Sequence, residues 1–359
     1  TYLVTDPAIG TRFALKEYFP GKYVTRLDDG SVTSKDEQST PALNKGRKLF
    51  LNEARIVAAL DHPNVDKVLR YFETNGTAYF LMPYYQGQPL HHLLESNGVF
   101  NREDAKMLML PLMDALEYIH EQGVIHQDIK PANIFMTGQG FPVLLDFGVA
   151  AADGDDPENR QKLGSEAYAA PEQSASDGSI GPWTDIYGLA ATLYRCVTGR
   201  IPVSAGLRQE ALAAGEPDPL TPFAELAPSG LYGGLTDAVE LGLKLPWQER
   251  PDDVGIWKKS FKSLDWHRSV VVGGKRDTYA EESREWLPMA LLAIFIVTMI
   301  GIGIFLLTDE SPDKASPIST TQTDALPPAG SPEAREREAT AEELERWQGA
   351  LNADTVLGY

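Results

Sequence analysis

The stretch His126-Gln127-Asp128-Ile129-Lys130-Pro131-Ala132-Asn133 decides how this chain is read. It sets a carboxylate, a lysine two positions on and an asparagine five positions on along one short loop. These are a proton acceptor, a cation and a metal ligand, the set that transfer of a phosphoryl group requires. His, Asp, Lys and Asn are equally ordinary in a solvated turn, so the loop gains weight only from what surrounds it.

Upstream, Tyr2 to Val4 and Phe13 to Tyr18 are short apolar runs that read as two strands joined by a turn at Pro7 to Gly10. Lys16 lies in the second run, where a lysine by itself is an edge residue with a snorkelling stem. Residues 20–48 are rich in Gly, Asp, Ser, Thr and Lys and read as an inserted hairpin or loop, with a tight turn at Asp28-Asp29-Gly30. From Leu49 to Leu60 the spacing is helical, with Phe50, Ala54, Val57 and Ala58 on one face. Val65 to Tyr71 and Thr77 to Met82 read as strands around an Asn75-Gly76 hairpin turn, followed by a linker from Pro83 to Gln88. Arg102 to Glu121 is a helix with a buried stripe of Ala105, Leu108, Met109, Leu112, Met113, Leu116 and Ile119, which is core packing. Beyond the opening stretch, Ile134 to Met136 and Val143 to Leu145 are short strands that deliver Asp146-Phe147-Gly148, and Trp183 to Thr198 is a strongly apolar helix.

The formal net charge of −19 argues against nucleic acid as a partner, since phosphate backbones select basic surfaces. A single cysteine, Cys196, excludes a disulfide within the chain and reads as a core thiol. Residues 287–307 carry no charge and as a helix would reach about 31 Å, the thickness of a hydrocarbon core. They read as a single transmembrane helix with Trp286 at its interface. Lys262, Arg268, Lys275, Arg276 and Arg284 precede it, whereas Asp309, Glu310 and Asp313 follow, so the positive-inside rule puts residues 1–286 in the cytoplasm.

Taken together, Ala14-Leu15-Lys16, Glu53 on a helix, His126 to Asn133, Asp146-Phe147-Gly148, Ala170-Pro171-Glu172, Asp185 in Thr184-Asp185-Ile186-Tyr187-Gly188, and Arg250 before Pro251 stand in an order that resembles the eukaryotic-like (Hanks-type) serine/threonine protein kinases, in particular the bacterial membrane-anchored ones. The resemblance covers about residues 1–265. It implies an α+β, two-lobed protein kinase fold, with a small β-rich N-lobe at 1–85, the insert at about 20–48, and a larger helical C-lobe at 86–265. A juxtamembrane linker at 266–286, the membrane helix at 287–307 and an extracytoplasmic linker with the start of a helical region at 308–359 complete the expected organisation. The Gly-rich loop of the family is not present in the sequence and is expected to precede Tyr2, which leaves the N-lobe truncated.

By the same resemblance Lys16 holds the α and β phosphates of ATP and pairs with Glu53, Asp146 and Asn133 bind Mg²⁺ (or Mn²⁺), Asp128 takes or orients the substrate hydroxyl proton, and Lys130 neutralises the transferred group. Met82 is the gatekeeper, and the backbone of Pro83 and Tyr85 meets the adenine, although the family usually has Glu in place of Pro83. Ser165 ties the substrate platform to Asp128 and Lys130, Glu172 and Arg250 form a buried ion pair, and Asp185 is structural. The partners implied are ATP, proteins carrying Ser or Thr, the membrane, and a second copy through the membrane helix, for which only Gly301 and Gly303 offer a small-residue face. Gln127 stands where many members carry an Arg that receives a loop phosphate, and residues 149–164 contain no Ser, Thr or Tyr but do contain Asp153, Asp155, Asp156 and Glu158. Control by phosphorylation of this loop is therefore not expected. The alternative to an active kinase is a pseudokinase scaffold, since fold does not guarantee activity. Retention of Lys16, Glu53, Asp128, Asn133 and Asp146 together favours the enzyme.

Overall fold

The computed structural model describes residues 1–6, 10–147, 165–175, 178–227 and 234–262, all within one compact unit. Its N-terminal part is an antiparallel sheet of β1 (Tyr2–Thr5), β2 (Arg12–Glu17), β5 (Arg70–Thr74) and β6 (Thr77–Pro83) in the order β1-β2-β6-β5. The period-2 alternation of these strands builds two faces. Val4, Leu15, Phe72, Tyr79 and Leu81 fill one face, with Tyr2 and Phe13 against them. Ala14 and Lys16 therefore project from the other, opposite Met82 and Phe80 of β6. There helix α1 (Thr40–Ala58) stacks Phe50 on Phe80, ring centroids 4.7 Å apart, and the Lys16 ammonium lies 5.1 Å from the Phe80 centroid. Strand alternation thus decides that Lys16 faces the helix carrying Glu53.

The region read as an insert forms a hairpin, β3 (Val24–Arg26) and β4 (Val32–Ser34), and then the first turns of α1. The helix begins at Thr40, nine residues before the apolar periodicity becomes legible. Pro41 suits its first turn, and Leu43 is buried against Val24 and Val32 of the hairpin. Burial against the hairpin, which no local pattern announces, stabilises these early turns. The strand expected from Val65 to Tyr71 starts only at Arg70 and runs on to Thr74, because Val65 instead bridges Leu144 and the Asp66 amide donates to the Leu144 carbonyl at 2.9 Å. The Asn75-Gly76 turn has positive φ at both residues, +50° and +73°, the mirror-image turn that matches strand twist.

In the C-terminal part, α3 (Arg102–Glu121) starts at Asn101, whose side chain accepts from the Asp104 amide while Asp104 caps the Asn101 amide in return. All seven residues of the expected stripe are buried. This helix packs on α4 (Pro182–Thr198) and α8 (Val254–Lys262), with α7 (Gly234–Gly242) against both of the latter; α2 (Leu90–Asn97), α5 (Ala205–Ala213) and α6 (Phe223–Leu226) complete the described helices. A small sheet of β7 (Gly87–Pro89), β8 (Ile134–Thr137) and β9 (Pro142–Leu144), in that order, lies where the chain passes from one part to the other. Among the described residues no helix is long and apolar enough to cross a membrane. The span expected at 287–307, the segments beside it, Gly148 and the loop from Val149 to Gly164 all lie outside the described residues.

Candidate active site

Asp128, Lys130 and Asn133 occupy one turn, and the hydrogen bonds among them explain their spacing. The Lys130 ammonium donates to both carboxylate oxygens of Asp128 at 2.8 and 2.7 Å. The Asn133 amide nitrogen donates to the Asp128 carbonyl at 2.9 Å and to its carboxylate at 2.7 Å. With its NH₂ so engaged, Asn133 keeps its amide oxygen for a ligand.

The turn is held from below by Asp185, buried in the first turn of α4 at 1% exposure. Its carboxylate accepts the backbone amides of His126 and Gln127, both at 2.8 Å, and pairs with His120 Nε2 at 2.8 Å. Gln127 has φ of +67°, a conformation that costs a non-glycine residue energy and persists only where its surroundings impose it. Here the two amides on Asp185 and the Gln127 carbonyl, which accepts from Gln173 Nε2 at 2.7 Å, impose it. His126 is fully buried, and burial lowers its pKa, so the ring is neutral. Its Nδ1 accepts from the Asp128 amide at 3.3 Å, which leaves Nε2 as the protonated nitrogen donating to the Leu145 carbonyl at 3.1 Å. The ring also packs on Phe147, centroids 4.5 Å apart.

Leu145 leads directly to Asp146, which has φ of +50°. The Leu145 amide donates to the Asn133 carbonyl at 2.8 Å, so Asn133 and Asp146 are neighbours by backbone pairing. Lys16 reaches across from β2 to Asp146 at 2.5 Å and to Glu53 of α1 at 3.8 Å. Desolvation alone would lower the Lys16 pKa, but the Asp146 and Glu53 carboxylates outweigh it and hold the amine above its usual range. Desolvation would likewise raise Asp146, and Lys16 reverses this and keeps it ionised. Glu53 is pushed up to about 7 by burial, with the more distant Lys16 only partly opposing that shift. The cation is therefore committed chiefly to Asp146, with Glu53 as a looser second partner.

Lys16, Leu145 and Asp146 open onto a cavity between the two parts of the unit. Ala14 and Phe135 contribute to its walls, and Met82, Pro83 and Tyr85 of the connecting segment close one side. Among the described residues no three His, Cys, Asp or Glu side chains converge as a metal cage. One carboxylate and one amide oxygen suit Mg²⁺, which keeps most of its shell as water and phosphate oxygens. Farther out, Arg250 forks onto Glu172 at 2.8 Å through each of two nitrogens, and the Thr184 hydroxyl donates to the same carboxylate at 2.9 Å. Both charged residues are nearly fully buried. Ser165 opens a short turn, Ser165–Ala167, and only its backbone is described. Three neighbours of the site escape sequence reasoning: Asp66, which lines the cavity, and His120 and Gln173, which brace the loop. Asp66 stands beside Lys67 in a stretch that reads as a strand, and neither it nor His120 or Gln173 carries a signal of its own.

A sheet and a helical part holding two lysines, three carboxylates and an asparagine at their junction form the arrangement of a phosphotransfer fold. The chain belongs to the protein kinase domain family, whose sequence model matches residues 22–218. It is 33% identical over 166 residues to a probable serine/threonine-protein kinase PknB of Bifidobacterium longum, covering 43% of this chain and 24% of that protein. A probable PknB of Corynebacterium glutamicum is 31% identical over 206 residues, 56% of this chain and 29% of its own length. Mouse sperm motility kinase 2B is 32% identical over 45% of this chain and 33% of its own. The chain thus spans about a quarter to a third of the length of these curated relatives. Among solved structures, the PpkA-294 apo form superposes with a TM-score of 0.64 at 30% identity, over 72% of this chain and 91% of that one.

Proposed function

We propose that this chain transfers the γ-phosphoryl group of ATP, with Mg²⁺, to Ser or Thr hydroxyls of proteins. The observation that carries the reading is the junction itself: Lys16, Glu53 and Asp146 form one ion cluster across the two parts, beside a turn in which Asp128, Lys130 and Asn133 are locked together. Bound Mg²⁺ would supply charge neutralisation on the phosphates. Asp146 and the free amide oxygen of Asn133 would hold it. Lys16 would then exchange part of its contact with Asp146 for phosphate oxygens, with Glu53 keeping it in place. Asp128 would orient the attacking hydroxyl, and Lys130 would follow the charge as it moves to the new ester. The names of the relatives, all serine/threonine kinases or sperm motility kinases, support a protein substrate.

The chain is further proposed to be held in a membrane by residues 287–307 with residues 1–286 cytoplasmic, supported by the uncharged length and the flanking charge asymmetry. Control by loop phosphorylation is not proposed: Gln127 cannot receive a phosphate as an Arg would, and its backbone is fixed through Asp185 and Gln173 without one. Radiolabelled ATP with a generic Ser/Thr protein substrate tests the activity. The native chain is expected to label it, and Asp128→Asn and Asp146→Asn to reduce labelling at least about 100-fold. Equal labelling by all three would leave a scaffold as the better reading.

A further inference from the structure

Asp66 has no task in the reaction just proposed, yet its side chain lines the same cavity as Met82, Pro83, Tyr85 and Phe135. It is 6% exposed. Its place is fixed by backbone pairing, since its amide donates to the Leu144 carbonyl at 2.9 Å and Val65 beside it bridges Leu144. One carboxylate oxygen accepts the Lys67 amide at 2.8 Å. Tyr85, whose ring packs near Phe135 with centroids 6.2 Å apart, lines the cavity with it. Lys16, the cation of this cavity, bonds to Asp146 and Glu53 instead. Asp66 is therefore a buried acceptor in the lining of the cavity, with one oxygen on the Lys67 amide.

A buried acceptor discriminates by leaving itself unpaired when the wrong ligand enters. A 6-aminopurine carries a donor at the position where a 6-oxopurine carries an acceptor. The first can donate to Asp66; the second meets the carboxylate with a lone pair. We propose that Asp66 is a base-selecting residue that accepts the exocyclic amine of a 6-aminopurine nucleotide and turns away 6-oxopurines. This rests on the nucleotide reading of the cavity given above.

The test is calorimetric titration of the full chain, in detergent at pH 8 so that the Asp66 carboxyl, raised to about 7 by burial, is ionised, with ATP and with ITP, which differ at this position of the base. The native chain should prefer ATP. Asp66→Val should lower the ATP/ITP affinity ratio about 10- to 100-fold, the worth of one charge-assisted hydrogen bond. Asp66→Asn, nearly isosteric and able to donate through its NH₂, should lower the ratio at least as far, and thermal melting without nucleotide shows whether either variant is folded. A folded Asp66→Val or Asp66→Asn with an unchanged ratio overturns the proposal and leaves the kinase reading standing. Should the native chain bind neither nucleotide, both fall together.

Discussion

At the scale of single residues, buried charge in this protein is either paired with care or put to use. Glu172 and Arg250 illustrate the first case. Arg250 is satisfied by Glu172, by the carbonyls of Lys244 and Leu245, and by that of Trp183. Arg250→Leu would strand a buried carboxylate and three carbonyls, and urea unfolding is expected to show a loss of about 3–5 kcal/mol. Adding Glu172→Leu should recover only part of that, because the carbonyls stay unpaired. Asp66 illustrates the second case. Burial raises its carboxyl to about 7, with Asp146 adding to the shift while Lys16, the Lys67 amide and Tyr85 oppose it. An acid whose folded pKa lies above its unfolded value costs stability that sets in as pH rises through about 4 and is complete above about 7. Melting curves of Asp66→Asn should therefore lie above those of the native chain at pH 8 and converge with them near pH 4. A gap that widens toward low pH would contradict the burial cost.

At the scale of elements, helix α1 shows how a neighbour extends a helix beyond its own pattern. Its early turns carry Gly46, where an added Cβ would overlap the Tyr18 hydroxyl. The Tyr18 ring lies in the cluster formed by Val24, Val32 and Leu43 and tilts against Phe50, centroids 5.6 Å apart. Intrinsic propensity favours Ala over Gly in a helix by about 1 kcal/mol. Gly46→Ala should nonetheless destabilise the chain, and in a Tyr18→Ala background the same change should become stabilising by about 0.5–1 kcal/mol. This double-mutant cycle is readable by chemical denaturation. The hairpin is tied to the sheet at two further points: Arg26 bonds to Glu17 at 2.5 Å, and the Val32 amide donates to the Asn75 carbonyl at 2.7 Å. Glu17 also accepts from Tyr2 and Tyr79. What reads as an insert is thus one side of the lobe that positions Glu53.

For the whole molecule, the site exists because the chain returns to the same junction from distant positions. Lys16, Glu53, Asp128 and Asp146 come from a strand, a helix and two loops. Asp185, on yet another helix, fixes the loop's backbone. If residues 287–307 anchor this unit as proposed, the full chain should float with lipid vesicles and resist alkaline extraction, and deletion of those residues should release it to the soluble fraction. Soluble behaviour of the undeleted chain would count against the anchor.

The sequence alone carried the order of the motifs, the buried stripe of α3, the Asn75-Gly76 turn and the identities of Lys16, Glu53, Asp128, Asn133 and Asp146. Each is a local or ordered signal: a period, a turn preference, a fixed spacing. Tertiary structure alone decided the rest. The early start of α1 depends on Leu43 meeting Val24 and Val32, the shape of the loop depends on a carboxylate 57 positions after Asp128, and the place of Asp66 in the cavity depends on Leu144. Contacts between residues far apart in the chain leave no period or spacing to read. Their energy arises only when the folded chain removes both partners from water.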